Sequence, residues 1–244
     1  MANGQKGRVV QTRPAGQTQQ EGRLENRGCH TLSDVPHTDG TPWQGRDHVE
    51  EDFGDVDLTE AVLQACRFTR CSFRGARLIE TATHRCSFVA CDFRGARLSS
   101  SRHDGSQFLT CQFGMTELFD ARFDECKLTG TTFVEVDLSV ARVIRGDWSY
   151  VNLRHGSLAG MALRGVRFSD ADFYGSDLRR ADLRDADLSR ATLATARLAG
   201  ADLRGARLAG VDFRGLELKG VRLDLPQAIH VARRYGALVE DVDR

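Results

Sequence analysis

From Phe53 to Leu223 every fifth residue is Leu or Phe, apart from Thr83, His103, Val143 and Trp148. No insertion or deletion breaks these thirty-five pentads, and a well-formed piece reads Ala181-Asp-Leu-Arg-Asp. A beat of five fits neither regular element. On an α-helix five residues turn through about 500°, so every fifth side chain would drift around the whole circumference. In a straight strand an odd spacing would throw successive members onto opposite faces. A short extended piece followed by a corner satisfies the pattern. In the extended piece the repeated residue and the small residue two before it share the inward face, and their polar neighbours point outward. The corner falls two residues after the repeated position, where twelve of thirty-five pentads carry Gly, the residue most tolerant of turn geometry.

Aligning the chain at intervals of twenty sorts the inward residues by type. Leu58, Leu78, Leu98 and their successors to Leu218 form an unbroken leucine row. Phe53, Phe73, Phe93, Phe113 and Phe133 begin a phenylalanine row, and Phe68, Phe88 and Phe108 begin another. The remaining row holds Thr83, His103 and Val143. Like therefore stacks on like every four pentads, which predicts a four-sided solenoid of nearly nine coils. At about 4.8 Å per coil it would be roughly 40 Å long.

The Ala-Asp-Leu-x-x signature at this density resembles the pentapeptide-repeat proteins. The resemblance implies an all-β solenoid, a right-handed quadrilateral β-helix, over residues 48–224. Residues 1–47 are polar and poor in aliphatics, a composition that predicts a disordered tail. Trp43 is expected to fold back on the first turn. Residues 225–244 form a C-terminal helix and tail, in which Asp224 suits an N-cap, Pro226 the first turn and Gly236 a stop. Leu225, Ala228, Ile229 and Ala232 give an apolar stripe at helical spacing. So short a helix must dock, either capping the last coil or contacting a second copy.

Leu223, Asp224, Gln227, Ala228 and Gly236 are also similar to the C-terminal module of the quinolone-resistance pentapeptide proteins, and the loop-free repeat is closest to the mycobacterial type. That resemblance implies a homodimer through Leu225, Ala228, Ile229, Ala232, Tyr235 and Leu238, with Ala237 and Val239 in the short apolar segment that follows the helix. It also implies paired rods that mimic duplex DNA and bind DNA gyrase; a cytoplasmic location is expected from the N-terminus, which has no apolar segment of a secretion signal. The carboxylates expected to stand in for phosphates are Asp170, Asp172, Asp177, Asp182, Asp187, Asp202 and Asp212, with Asp185 beside them.

Charge weighs against a strong mimic. The whole chain carries 34 basic and 34 acidic residues, and residues 50–225 carry 26 acidic against 25 basic. Arg164, Arg184 and Arg204 stack beside the Asp182–Asp202 row, and opposite charges so close cancel beyond a Debye length of about 8 Å. The alternative reading is a general interaction or structural scaffold with another partner. Direct nucleic-acid binding by arginine rows such as Arg74 and Arg94 is disfavoured by their acidic neighbours and by the lack of interleaved aromatics.

Six of the seven cysteines (Cys66, Cys71, Cys86, Cys91, Cys111, Cys126) fall two residues before a repeated Leu or Phe, where most pentads carry Ala, Ser, Thr or Val. They read as small buried side chains interchangeable with alanine, not as zinc knuckles. No nucleotide, metalloprotease or dinucleotide motif is present, no cofactor is implied, and His103 lies inward, so an enzyme is not expected. No apolar run is long enough to span a bilayer. The loss of Leu or Phe at both Val143 and Trp148 predicts a local bulge or bend.

Overall fold

The computed structural model describes residues 42–240, and these form a four-sided β-solenoid closed by one helix. One side is a parallel six-stranded sheet of Trp43–Gln44, Val62–Gln64, Ala82–His84, Arg102–Asp104, Arg122–Asp124 and Arg142–Ile144. The adjoining side is a four-stranded sheet of Asp47–Val49, Arg67–Thr69, Ser87–Val89 and Gln107–Leu109. Each pairing joins residues twenty apart, such as Phe68 with Phe88. Regular strands account for about five turns, fewer than the nine expected. Beyond Ile144 the same spacing continues to Arg222 through single bridges, because tight corners leave only a short extended piece on each side.

The tail expected over residues 1–47 lies outside the described residues as far as residue 41. From Trp43 onward it is already solenoid. Trp43 and His48 occupy the inward positions ten and five residues before Phe53, and both are buried. The beat thus begins two pentads early, carried by aromatic rings that are neither Leu nor Phe.

Stacking of identical side chains fills the core. Phe53, Phe73, Phe93, Phe113 and Phe133 lie ring over ring, with centroids 4.7–5.0 Å apart. That distance matches the spacing of hydrogen-bonded strands, so backbone pairing and ring stacking are satisfied by one repeat.

Two kinds of corner turn the chain. In the tight kind the N–H three residues on bonds back across the corner, as Ala61 N does to Leu58 O at 3.0 Å. After Trp43, His48, Leu63, Phe68, Thr83, Phe88, His103, Phe108, Phe123 and Val143 the corner is open and that bond is not among those of the described residues. All six described cysteines follow an open corner. Five of their thiols donate to the carbonyl left bare by an open corner one turn earlier: Cys66 to Trp43 O at 3.3 Å, Cys71 to His48 O at 3.5 Å, Cys91 to Phe68 O at 3.4 Å, Cys111 to Phe88 O at 3.4 Å and Cys126 to His103 O at 3.0 Å. Cysteine is therefore not interchangeable with alanine here, since alanine would leave a buried acceptor unpaired.

The expected bulge at Val143–Trp148 is absent. Val143 keeps register with Phe123 in a regular strand. Trp148 is fully buried and stacks on Phe133 at 5.6 Å. Two residues before it, at the small inward position, stands Gly146, whose φ is 117°. A Cβ there would overlap the carbonyl oxygen of Cys126. The real irregularity lies just upstream: among the corner residues from Gly45 to Gly220, only Val140 is not left-handed. A β-branched side chain disfavours that region, although Thr110 and Thr195 adopt it at their corners.

His103 is buried in a small polar network inside the apolar core. Its ring nitrogens meet Thr83 Oγ1 at 2.8 Å and Ser101 Oγ at 3.0 Å, and Thr83 continues to Ser106. Burial pushes the imidazole down to about 3, so it stays neutral in the folded rod.

Two outcomes follow. Gly146→Ala should cost about 3 kcal/mol or more, read from the shift in urea midpoint at constant slope, because the added methyl meets backbone at a disfavoured φ. His103 binds a proton near 6.5 when unfolded but only near 3 when folded. Its contribution is thus complete above pH 6.5 and lost as pH falls, with a slope of up to about 1.4 kcal/mol per pH unit. Between pH 6 and 5 carboxylates stay ionised, so His103→Phe should flatten the fall in unfolding free energy there by about that amount.

Candidate interaction site

Two surfaces follow from the sequence: the C-terminal helix and the rows of carboxylates. The helix, α1 (Leu225–Arg234), begins at Asp224, whose carboxylate accepts from Gln227 N while Gln227 Oε1 accepts from Asp224 N at 3.0 Å. This reciprocal cap secures the first turn.

The same two side chains finish the solenoid. Inside the rod, the N–H of Asp185 donates to the carbonyl of Arg204, nineteen residues on, and Ala186 O accepts from Arg207 N, twenty-one on. At the last turn the corresponding partners are side-chain atoms. Gly205 N donates to Asp224 Oδ2 at 2.7 Å, and Ala206 O accepts from Gln227 Nε2 at 2.9 Å. Asp224 and Gln227 thus replace backbone groups that a further turn would have supplied. Tyr235 adds a third tie, its hydroxyl donating to Phe213 O at 2.8 Å.

The inner face of α1 is accordingly Gln227 and Val231, both buried, and not the apolar stripe read from the sequence. Leu225 is 73% exposed, Tyr235 56% and Leu238 92%. Ala228 is exposed as well, with Ile229 and Ala232 half-buried. The residues expected to contact a second copy therefore face mainly outward. Gln227 was missed as an anchor because a polar residue at helical spacing gives no hydrophobic signal.

The carboxylates do not form one strip. The twenty-residue register puts Asp172 and Asp212 on the phenylalanine side, Asp177 on the leucine side and Asp187 on the side of Phe168. Asp170 lies at a corner, and Asp182 and Asp202 alone are stacked on adjacent turns. Each of the seven is also engaged. Asp182 Oδ1 accepts from the backbone N–H of Arg184, two residues on, and its carboxylate is gripped by the Arg184 guanidinium at 2.8 and 2.6 Å. Asp177 with Arg179, Asp202 with Arg204 and Asp212 with Arg214 repeat this clamp. Asp170 pairs with Arg190 at 2.7 Å and Asp172 with Arg154 at 3.1 Å, while Asp187 accepts from Ser189 N at 3.0 Å. Hydrogen bonds from Arg204 and Arg214 hold Asp202 and Asp212 down at about 2. Asp185 is met by Arg164 at 2.9 Å.

The depression lined by Gln44, Gln64, His84, Arg85, Asp104 and Glu125 has a volume of about 580 Å³ and lies open on the rod. Among the described residues no group of His, Cys, Asp and Glu could hold a metal ion. No described helix is long and apolar enough to cross a membrane.

Comparison with known proteins gives the following. A family profile described as a pentapeptide repeat region matches residues 116–193. A second, for pentapeptide repeats in eight copies, matches residues 52–82 and 186–224, and together they cover more than half of the chain. No curated protein matches. Among solved structures, HetL, a pentapeptide-repeat protein involved in heterocyst differentiation regulation in Nostoc sp. strain PCC 7120, is 23% identical, with a TM-score of 0.52 over 75% of this chain and 92% of its own. A trypsin-treated variant of QnrB1, a plasmid-mediated fluoroquinolone resistance protein, is 23% identical, with a TM-score of 0.47 over 85% of this chain and 94% of its own. At these identities the likeness concerns fold alone.

Removing the anchor tests the capping role. Gln227→Met keeps the volume but strips partners from Ala206 O and Asp224 N, and should cost about 2–4 kcal/mol. Hydrogen exchange across α1 and the last turn should accelerate. Leu225→Ala, on the outer face, should stay within about 0.5 kcal/mol of the parent in the monomer.

Proposed function

The chain belongs to the pentapeptide-repeat family, and on that premise we propose a non-enzymatic rod that binds a protein partner and pairs with a second copy through α1. The outer face of α1 carries this reading. Capping needs only Gln227, Val231 and the ties from Asp224 and Tyr235, yet Leu225 and Leu238 remain 73% and 92% exposed beside it. Large apolar side chains gathered at one end of the rod are what a protein contact would bury. Pairing there sets two rods end to end about a two-fold axis.

For the partner, the match of Leu223, Asp224, Gln227, Ala228 and Gly236 to the quinolone-resistance module favours DNA gyrase, engaged in the cytoplasm. Since the seven carboxylates are held by arginines or backbone, such binding would use the width and regular rungs of the rod more than a bare acidic strip. The surface would then interact with only modest dependence on salt, unlike a phosphate-like polyanion.

A supercoiling assay decides between gyrase and another partner. Purified protein at micromolar concentration should inhibit supercoiling or protect gyrase from a quinolone, and Leu225→Asp should remove the effect and weaken association in sedimentation. A dimer with no effect on gyrase would leave the binding rod and discard this partner.

A further inference from the structure

One long edge of the rod, between the leucine side and the side that carries Thr83, His103 and Val143, differs from the other three. Its corner residues, one per turn, are Glu60, Glu80, Ser100, Asp120, Val140, Gly160, Arg180, Gly200 and Gly220. Glu60, Glu80 and Arg180 are exposed and form no ion pair among the described residues, although most acidic side chains elsewhere are matched. The edge is therefore acidic near the N-terminal end and basic toward the other. Asp120 is already neutralised by Arg142 at 3.1 Å.

Between the charged ends lies an apolar centre. Val140 is 40% exposed and is the one described corner residue from Gly45 to Gly220 without left-handed backbone. Its carbonyl still accepts from Asp120 N at 2.8 Å, but its exposed side chain adds nothing to the core. Phe119, on the turn before and beside the same edge, is 68% exposed. It stands in a column whose neighbours on adjacent turns are Ser99 and Ser139. Neither large side chain contributes to the core; the serines leave the column of Phe119 open, while across the corner stand Arg122, paired with Asp124, and Arg142, paired with Asp120.

We propose that two copies pack side by side and antiparallel along this edge, about a two-fold axis passing between Asp120 and Val140. That axis sets Glu80 opposite Arg180 of the second copy, and Arg180 opposite Glu80 of the second copy. It brings Phe119 and Val140 of both copies together at the centre. Glu80 and Arg180 exchange places about the middle of the strip, as an isologous contact requires, while Glu60 falls opposite Gly200. From Glu60 to Gly200 the strip is seven rungs, about 34 Å at the strand spacing. A narrow strip of this length belongs with the smaller, weaker interfaces, so association in the micromolar range is expected. This contact is separate from α1 and does not depend on pairing there.

Full-length protein carrying Leu225→Asp isolates the edge from the helix. Sedimentation of that variant should still show concentration-dependent dimers. Adding Glu80→Arg or Arg180→Glu should each weaken the dimer about tenfold or more, by setting like charges opposite each other. An equimolar mixture of those two chains should recover the original affinity, because every contact in the mixed dimer is then matched. Phe119→Ser should weaken it without altering the fold seen by circular dichroism. A Leu225→Asp protein that stays monomeric to about 100 µM, or a mixture no tighter than either chain alone, would overturn the proposal.

Discussion

Every turn of this rod is completed by hydrogen bonds to the turn twenty residues later, and the other features depend on that register. A β-solenoid has no layered core to fall back on, so each turn buries its inner face only against the turns above and below. Register therefore has to be defended at every rung. Stacked phenylalanines defend it on one side, leucines on another, and a displacement of even one residue would turn all of them outward. The same constraint explains why departures are compensated locally. Gly146 is the residue that lets the chain pass close to the Cys126 backbone, and the open corners are completed by the thiols of Cys66, Cys71, Cys91, Cys111 and Cys126.

A repeating rod also has two ends, and it must solve there what the next turn solves elsewhere. At the C-terminal end the solution is side-chain mimicry of backbone: Asp224 offers an oxygen where a carbonyl would have been, and Gln227 a nitrogen in place of an amide. The helix is thus held by polar atoms on its inner face, which leaves its apolar residues free for another surface. Capping uses one face of these ten residues and leaves Leu225, on the other, exposed.

The aspartate so common before the repeated leucine has a similar explanation. Its carboxylate accepts from the backbone N–H two residues on and shapes the corner, and an arginine at that position closes a clamp over it. Exposed pairs of this kind contribute little individually, but the local hydrogen bond sets turn geometry. The aspartates are first of all turn residues, which is why counting them said little about recognition.

The five-residue beat, its period of twenty and the inward rows were all readable from residue types, because a solenoid's contacts are between residues a constant distance apart in the chain. The site was readable only in part. Asp224, Pro226 and Gly236 marked the helix correctly, while its apolar stripe pointed to the wrong docking face: Gln227 outcompetes leucine there by meeting a buried carbonyl. Likewise cysteine and alanine look alike as small inward residues until the open corners show which carbonyls need a donor. Periodic packing, then, was determined by sequence alone. Which polar atoms meet, whether a carboxylate is bare or clamped, and which apolar residues are left over were decided only by the tertiary structure, since they depend on directions and distances that residue type does not encode.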